Sequence, residues 1–348
     1  MDRTACRLPL LALLSAAATS QALDIQFTVD ANGISSEGLA GFQNAASIWE
    51  SVLHDNVTVN ITIGVYDFGP ENSNVIGQAQ STLYSAWYTE LTGAMSADIT
   101  SATDVSVVAS LPTGSTYTRL INGTAQNTGT GNLTPAALSN DWIFINGANA
   151  KALGMILPGD PFYAANDATI SFNSAFAFDY DRSNGIQAGT MDFVGVALHE
   201  IGHALGFINV ADYLDYYASQ SVYLNQMEYG SMPLDFLRYS AASSILGISD
   251  VTVGTGQKYL SINGTQIAMS TGAFLGDGQQ ASHFKDNLGL GLLDPTASFG
   301  EQINISANDL LVMDAIGWNL VAVPEPSTYG MALGGAALTL AALRRRKA

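Results

Sequence analysis

HEIGHALGF, residues 199–207, sits at the end of an apolar stretch that begins at Met191. Phe193, Val194, Ala197, Ile201, Ala204 and Leu205 recur at helical spacing, and Gly206 ends the run as a left-handed cap glycine does. Positions four apart on a helix share a face, one turn from each other. His199 and His203 can therefore direct imidazole nitrogens at one ion, with Glu200 beside them. Zn²⁺ suits two or more imidazoles at bond lengths of about 2.0–2.1 Å, and three protein ligands leave a fourth position to a water of lowered pKa. A carboxylate next to the ligands is placed to take a proton from that water as it attacks a peptide carbonyl.

Two histidines do not complete such a site. The pattern H-E-x-x-H-x-x-G often continues to a histidine three residues past the glycine, where this chain has Asn209. Histidine is scarce: beyond His199 and His203 only His54 and His283 remain. His54 follows an amphipathic stretch and reads as a surface residue near a helix end. Asp212 and Glu228 are oxygen-bearing alternatives, as in sites that take a carboxylate as third ligand. The residues alone leave these candidates open.

Working outward, the chain offers a β-α-β start. DIQFTV (24–29) alternates as a strand, Ser36–Leu53 repeats apolar residues at helical spacing, and NVTVNITIGVY (56–66) has period two. The stretch 67–140 is rich in Gly, Ser, Thr and Asn, with a helix expected at 81–92. DWIFING (141–147) and ATISFNS (168–174) read as strands. ANDATISFNS (165–174) is open to two readings, an edge strand that pairs with extended substrate or an interior strand. DYDRSNG (179–185) is similarly divided between a calcium loop and a tight surface turn. Its glycine comes one place late and no glutamate closes it, which favours the turn. KYLSINGTQIAMS (258–270) is a hairpin with Asn263-Gly264 at a type I′ turn. SANDLLVMDAIG (306–317) is a helix capped by Ser306 with Asp309 three residues on.

Composition narrows the function classes. Twelve basic residues face thirty acidic ones, and six of the twelve lie at the ends, at Arg3, Arg7, Arg344, Arg345, Arg346 and Lys347. Six basic residues across the interior give no basic face for phosphates, so no nucleic-acid partner is expected. The single cysteine, Cys6, lies in an N-terminal segment with a basic start, an apolar run and a small-residue end, which reads as a signal peptide over 1–22. The exported chain then has neither disulfide nor thiol catalyst.

Three features together resemble a known family. HEIGHALGF, then a long insertion, then Ser282-His283-Phe284-Lys285 with a Leu292-Leu293-Asp294-Pro295 turn, then a helix ending in Gly317-Trp318, is similar to the leishmanolysin-type metzincin metalloproteases. The resemblance spans roughly 168–318. It implies an α/β (α+β) catalytic domain: a twisted mixed sheet with the zinc helix over 23–208, and a smaller C-terminal subdomain over 209–320. It implies His283 as the third zinc ligand, Glu200 as the base, and protein or peptide substrates cleaved in the groove between the subdomains. The methionine that such enzymes place beneath the metal falls at Leu293, of similar bulk. The alternative from another class is a surface-anchored binding or matrix protein with a structural zinc.

The last 26 residues (323–348) run from a Pro-Glu-Pro turn through an apolar stretch to Arg344-Arg345-Arg346-Lys347. This order closely resembles the PEP-CTERM sorting signal of Gram-negative bacteria. It implies transient membrane association, recognition by an exosortase-type enzyme, and delivery to the envelope surface or beyond.

Overall fold

The structure is a computed structural model that describes residues 22–122, 135–220 and 229–321. The first part of the chain builds the main sheet and most strands of three smaller ones. Strands β1 (Asp24–Val29) and β2 (Thr58–Tyr66) are joined by helix α1 (Ser36–Glu50); β3 (Gly77–Ser81) follows. Strand β4 (Leu83–Trp87) leads into α2 (Tyr88–Ala97) and α3 (Ala102–Ser110). Strands β5 (Tyr117–Asn122), β6 (Pro135–Asn140) and β7 (Trp142–Asn146) come next, then α4 (Gly147–Ala152) and β8 (Ala168–Asn173). Short strands β9 (Phe178–Asp179) and β10 (Met191–Asp192) precede α5 (Phe193–Leu205). After α5 come α6 (Val210–Ser219), β11 (Arg238–Tyr239), α7 (Ala241–Leu246), β12 (Ser249–Asp250), the hairpin β13 (Lys258–Ile262) and β14 (Thr265–Met269), and α8 (Ala307–Ala315).

The main sheet has the order β1-β2-β8-β3. The first three strands are parallel and β3 runs antiparallel to β8. Alternation explains β2, whose Val59, Ile61 and Ile63 are buried. Helix α1 lies against α5 on the sheet, burying Phe42, Ala45, Ala46 and Trp49 from one face. A Cβ at Gly41 would come within 2.4 Å of the Phe193 ring, so the small residue sets how close the helices come. The Phe193 ring packs against Phe42, Phe172, Phe178 and Tyr180. A single apolar cluster joins Phe42, Phe172 and Phe193 to Leu293, Val312, Ile316 and Trp318 from beyond Gly206.

The β-α-β start, the strands at 142–146 and 168–173 and the capped helix α8 are found near their expected places. The hairpin turn has Asn263 at φ 47° and Gly264 at φ 80°, as type I′ requires. Two expectations need correction, and one open reading is decided. The first helix stops at Glu50, and Leu53 instead bridges to Leu320. Residues 83–87, expected within a helix, pair with β7 as a strand, and the helix begins only at Tyr88. Strand pairing outweighs local propensity there. The stretch 168–173 is the interior strand, and the sheet edge falls to β3, which no reading of the sequence had placed. In DYDRSNG, Asp179 accepts the N–H of Asp181 and of Gln187, Asp181 caps a one-turn helix at Ser183, and Arg182 pairs with Asp192 at 2.8 Å. No single helix among the described residues is long and apolar enough to cross a membrane. The segment read as a signal peptide (1–22, of which only residue 22 is described) and the sorting segment (323–348) lie outside them.

Candidate metal centre

Helix α5 starts at Asp192, whose side chain accepts the Gly195 N–H at 3.0 Å. It ends at Gly206 with φ 125°, where a Cβ would press on Asn149, Asn146 and Ile316 at 3.2–3.3 Å. Its carbonyls are taken up by side chains from around the fold. Trp49 Nε1 donates to Leu198 O at 3.0 Å, Asn146 Nδ2 to Ala204 O at 2.6 Å, and Trp318 Nε1 to Leu205 O at 2.8 Å. The helix is thus fixed in rotation, which fixes where its histidines point.

His199, His203 and His283 come together. Their three Nε2 atoms form a triangle with all sides 3.1 Å. A tetrahedral ion with nitrogen bonds of about 2.0–2.1 Å holds its ligands about 3.3 Å apart, so the triangle fits such an ion. The other ring nitrogens say the same. His199 Nδ1 lies 2.8 Å from Leu292 O, His203 Nδ1 2.7 Å from Phe207 O, and His283 Nδ1 3.3 Å from Gln280 O. A carbonyl only accepts, so each Nδ1 carries the proton and each Nε2 a lone pair. Three lone pairs at that spacing repel one another unless a cation sits among them. Burial pushes all three imidazoles toward the neutral form, His203 down to about 3. No other group of three His, Cys, Asp or Glu residues among the described residues converges as closely.

The rival ligands are engaged elsewhere. Asn209 caps α6 through the Ala211 N–H at 2.7 Å. Both oxygens of Asp212 accept hydrogen bonds from Ala281 and Ser282. His54 is exposed beyond α1, its N–H on Asn319 O. Glu228 lies outside the described residues.

The floor of the centre is the Leu292-Leu293 turn. Asp309, at the start of α8, accepts the N–H of Leu292 at 2.8 Å and of Leu293 at 3.2 Å. That holds Leu292 O against His199. Leu293 is fully buried beneath Gly202, where an added Cβ would lie 3.2 Å from its Cδ2.

Glu200 is 5% exposed and, among the described residues, has no hydrogen-bonded partner; burial pushes its carboxyl up to about 8. It lies under the edge strand. A Cβ at Gly77 would meet Glu200 Oε1 at 2.9 Å and Val196 Cγ1 at 3.1 Å, so a larger residue there would push the Glu200 carboxylate aside. Asn173 N–H donates to Ile76 O and Thr82 N–H to Asp167 O across the β3–β8 pair. By antiparallel alternation, the backbone groups of Gly77, Ala79 and Ser81 then face the open side of the sheet. Sequence reading missed this strand because Gly-Gln-Ala-Gln-Ser carries no apolar period.

Comparison with known proteins adds one match. Residues 322–347 match the PEP-CTERM protein-sorting motif. Export, sorting to the bacterial cell envelope and recognition by an exosortase-type enzyme follow from it. No curated protein and no solved structure gives a significant match.

Proposed function

We propose that this exported chain is a zinc-dependent endopeptidase of metzincin type that acts on proteins at the envelope surface or outside the cell. The observation that carries the reading is the triangle of Nε2 lone pairs with Glu200 next in sequence to one of its corners. His199, His203 and His283 would hold the ion. When bound, zinc polarises a carbonyl and makes a water acidic near neutral pH.

The rest of the chemistry belongs to the chain. Glu200, desolvated and without a competing partner, takes a proton from the attacking water and delivers it to the leaving amine nitrogen. The free edge of β3 supports an extended peptide as substrate, because Gly77, Ala79 and Ser81 offer it a ladder of N–H and C=O groups. The peptide backbone would then run past Glu200 at Gly77, where no side chain separates them.

The test is Glu200→Gln, which keeps the shape and removes the base. Zinc content should stay at one per chain, while casein cleavage falls by at least about 10²-fold. Wild-type cleavage should stop with a chelator and return with zinc. Full activity in the variant would assign the base elsewhere. A wild-type chain that holds zinc and cleaves no protein would favour a structural metal in a surface-anchored binding protein.

A further inference from the structure

The 76 residues between Gly206 and His283 give the third histidine no fixed place by themselves. Its ring is also the least well held of the three, with Nδ1 3.3 Å from its carbonyl against 2.8 and 2.7 Å for the others. The position of the ring must come from its backbone. After His283 the chain is pinned: Ser270 N–H donates to His283 O at 3.0 Å and Phe284 N–H to Leu293 O at 2.8 Å. Before His283 the holding group is on α6. Asp212 accepts the Ala281 N–H through Oδ1, and the Ser282 N–H at 3.0 Å and Ser282 hydroxyl through Oδ2. Ser282 Oγ in turn accepts the Asn209 N–H at 2.8 Å, at the N-cap of the same helix. One turn further, Asp215 accepts the N–H groups of Phe274 and Leu275 at 2.8 and 2.9 Å.

We infer that Asp212, acting through Ser282, is the positioning residue that delivers His283 to the metal. The two carboxylates of α6 have different duties. Asp212 grips the two residues directly before the ligand, whereas Asp215 organises a loop eight residues earlier. Helix α6 follows α5 at a 94° bend, so the first two ligands and the grip on the third are carried by consecutive helices. Loss of a partner that orients a metal-binding histidine weakens metal binding by about 10–100-fold. Asp212→Asn sets an N–H₂ against at least one donor that needs an acceptor, and Ser282→Ala removes the hydroxyl that joins Asp212 to Asn209.

This inference rests on the metal reading but not on peptidase activity, so the measurement is metal affinity. Full-length protein, stripped of metal, is titrated with Zn²⁺ against a chromophoric chelator. Asp212→Asn and Ser282→Ala should each weaken binding by about 10–100-fold with unchanged circular dichroism. The double variant should lose no more than the worse single one, because the two side chains act as one unit. Asp215→Asn should lower the melting temperature and leave the affinity at the wild-type level. Wild-type affinity in both Asp212→Asn and Ser282→Ala overturns the inference, as does an equal loss in Asp215→Asn. A wild-type chain that binds no zinc overturns the metal reading itself, a different result from equal affinities.

Discussion

Helix α5 buries every residue from Phe193 to Leu205 except His199, and its neighbours are mainly aromatic and aliphatic. The stretch from Asn209 to His283 buries Asp215, Asp235, Arg238 and Asp250 to within 1% of full burial. Both regions bring histidine to the same three-nitrogen triangle. In the first, an apolar rod of fixed pitch places two imidazoles one turn apart, so local geometry suffices. In the second, carboxylates bound to backbone N–H groups fold an insertion back on itself until its end reaches the site. Arg238 Nη1 contacts Asp250 O and Thr252 O, and Lys258 lies 3.3 Å from Asp250. All six interior basic residues are in fact engaged within the fold: Arg119 with Ser231, Lys151 with Asp167, Arg182 with Asp192, Lys285 with Asp277, besides these two. The contrast is between a site half set by packing and a site half set by buried polar groups, and the two should fail differently.

The largest stability effect belongs to the apolar half. Phe193→Ala opens a cavity among four rings and should cost about 3–5 kcal/mol. Because no titrating group is removed, the deficit relative to wild type should be the same at pH 5 and pH 8 in urea denaturation. A deficit that changes with pH would blur the division between the halves.

The polar half should behave otherwise. Asp235 is fully buried, and burial raises its carboxyl to about 6, only in part opposed by the Met232 N–H and Arg119. A carboxyl raised in the folded state favours folding when protonated; that advantage is lost as pH rises through about 6. A group that titrates near 6 folded and near 3.8 unfolded loses on the order of 3 kcal/mol across this window. Asp235→Asn cannot ionise. Its deficit relative to wild type should therefore shrink by up to that amount between pH 4 and pH 8. A pH-independent deficit would mean that Arg238 and Arg119 already keep Asp235 ionised.

The same contrast explains what could be read from the chain. His199, Glu200 and His203 were legible because their relation depends on helical pitch alone. His283 could be named only through the scarcity of histidine and a family resemblance, since nothing local ties it to a helix 80 residues away. Asp212 was weighed as a ligand because a nearby carboxylate is all the sequence displays; its oxygens are in fact filled by Ala281 and Ser282. Strand β3 was invisible for a related reason. An edge strand of Gly, Gln, Ala and Ser is defined by its partner β8, and what Gly77 faces shows only once Glu200 and Val196 of α5 lie beneath it.

Whether the distant residue truly completes the site is decided by zinc content, measured by atomic absorption on dialysed, folded His283→Ala beside wild type. A site with two remaining imidazoles is underfilled and releases its ion readily. The account predicts one zinc per wild-type chain and none in His283→Ala, with no peptide cleavage by the variant. One zinc per chain retained in His283→Ala would contradict it.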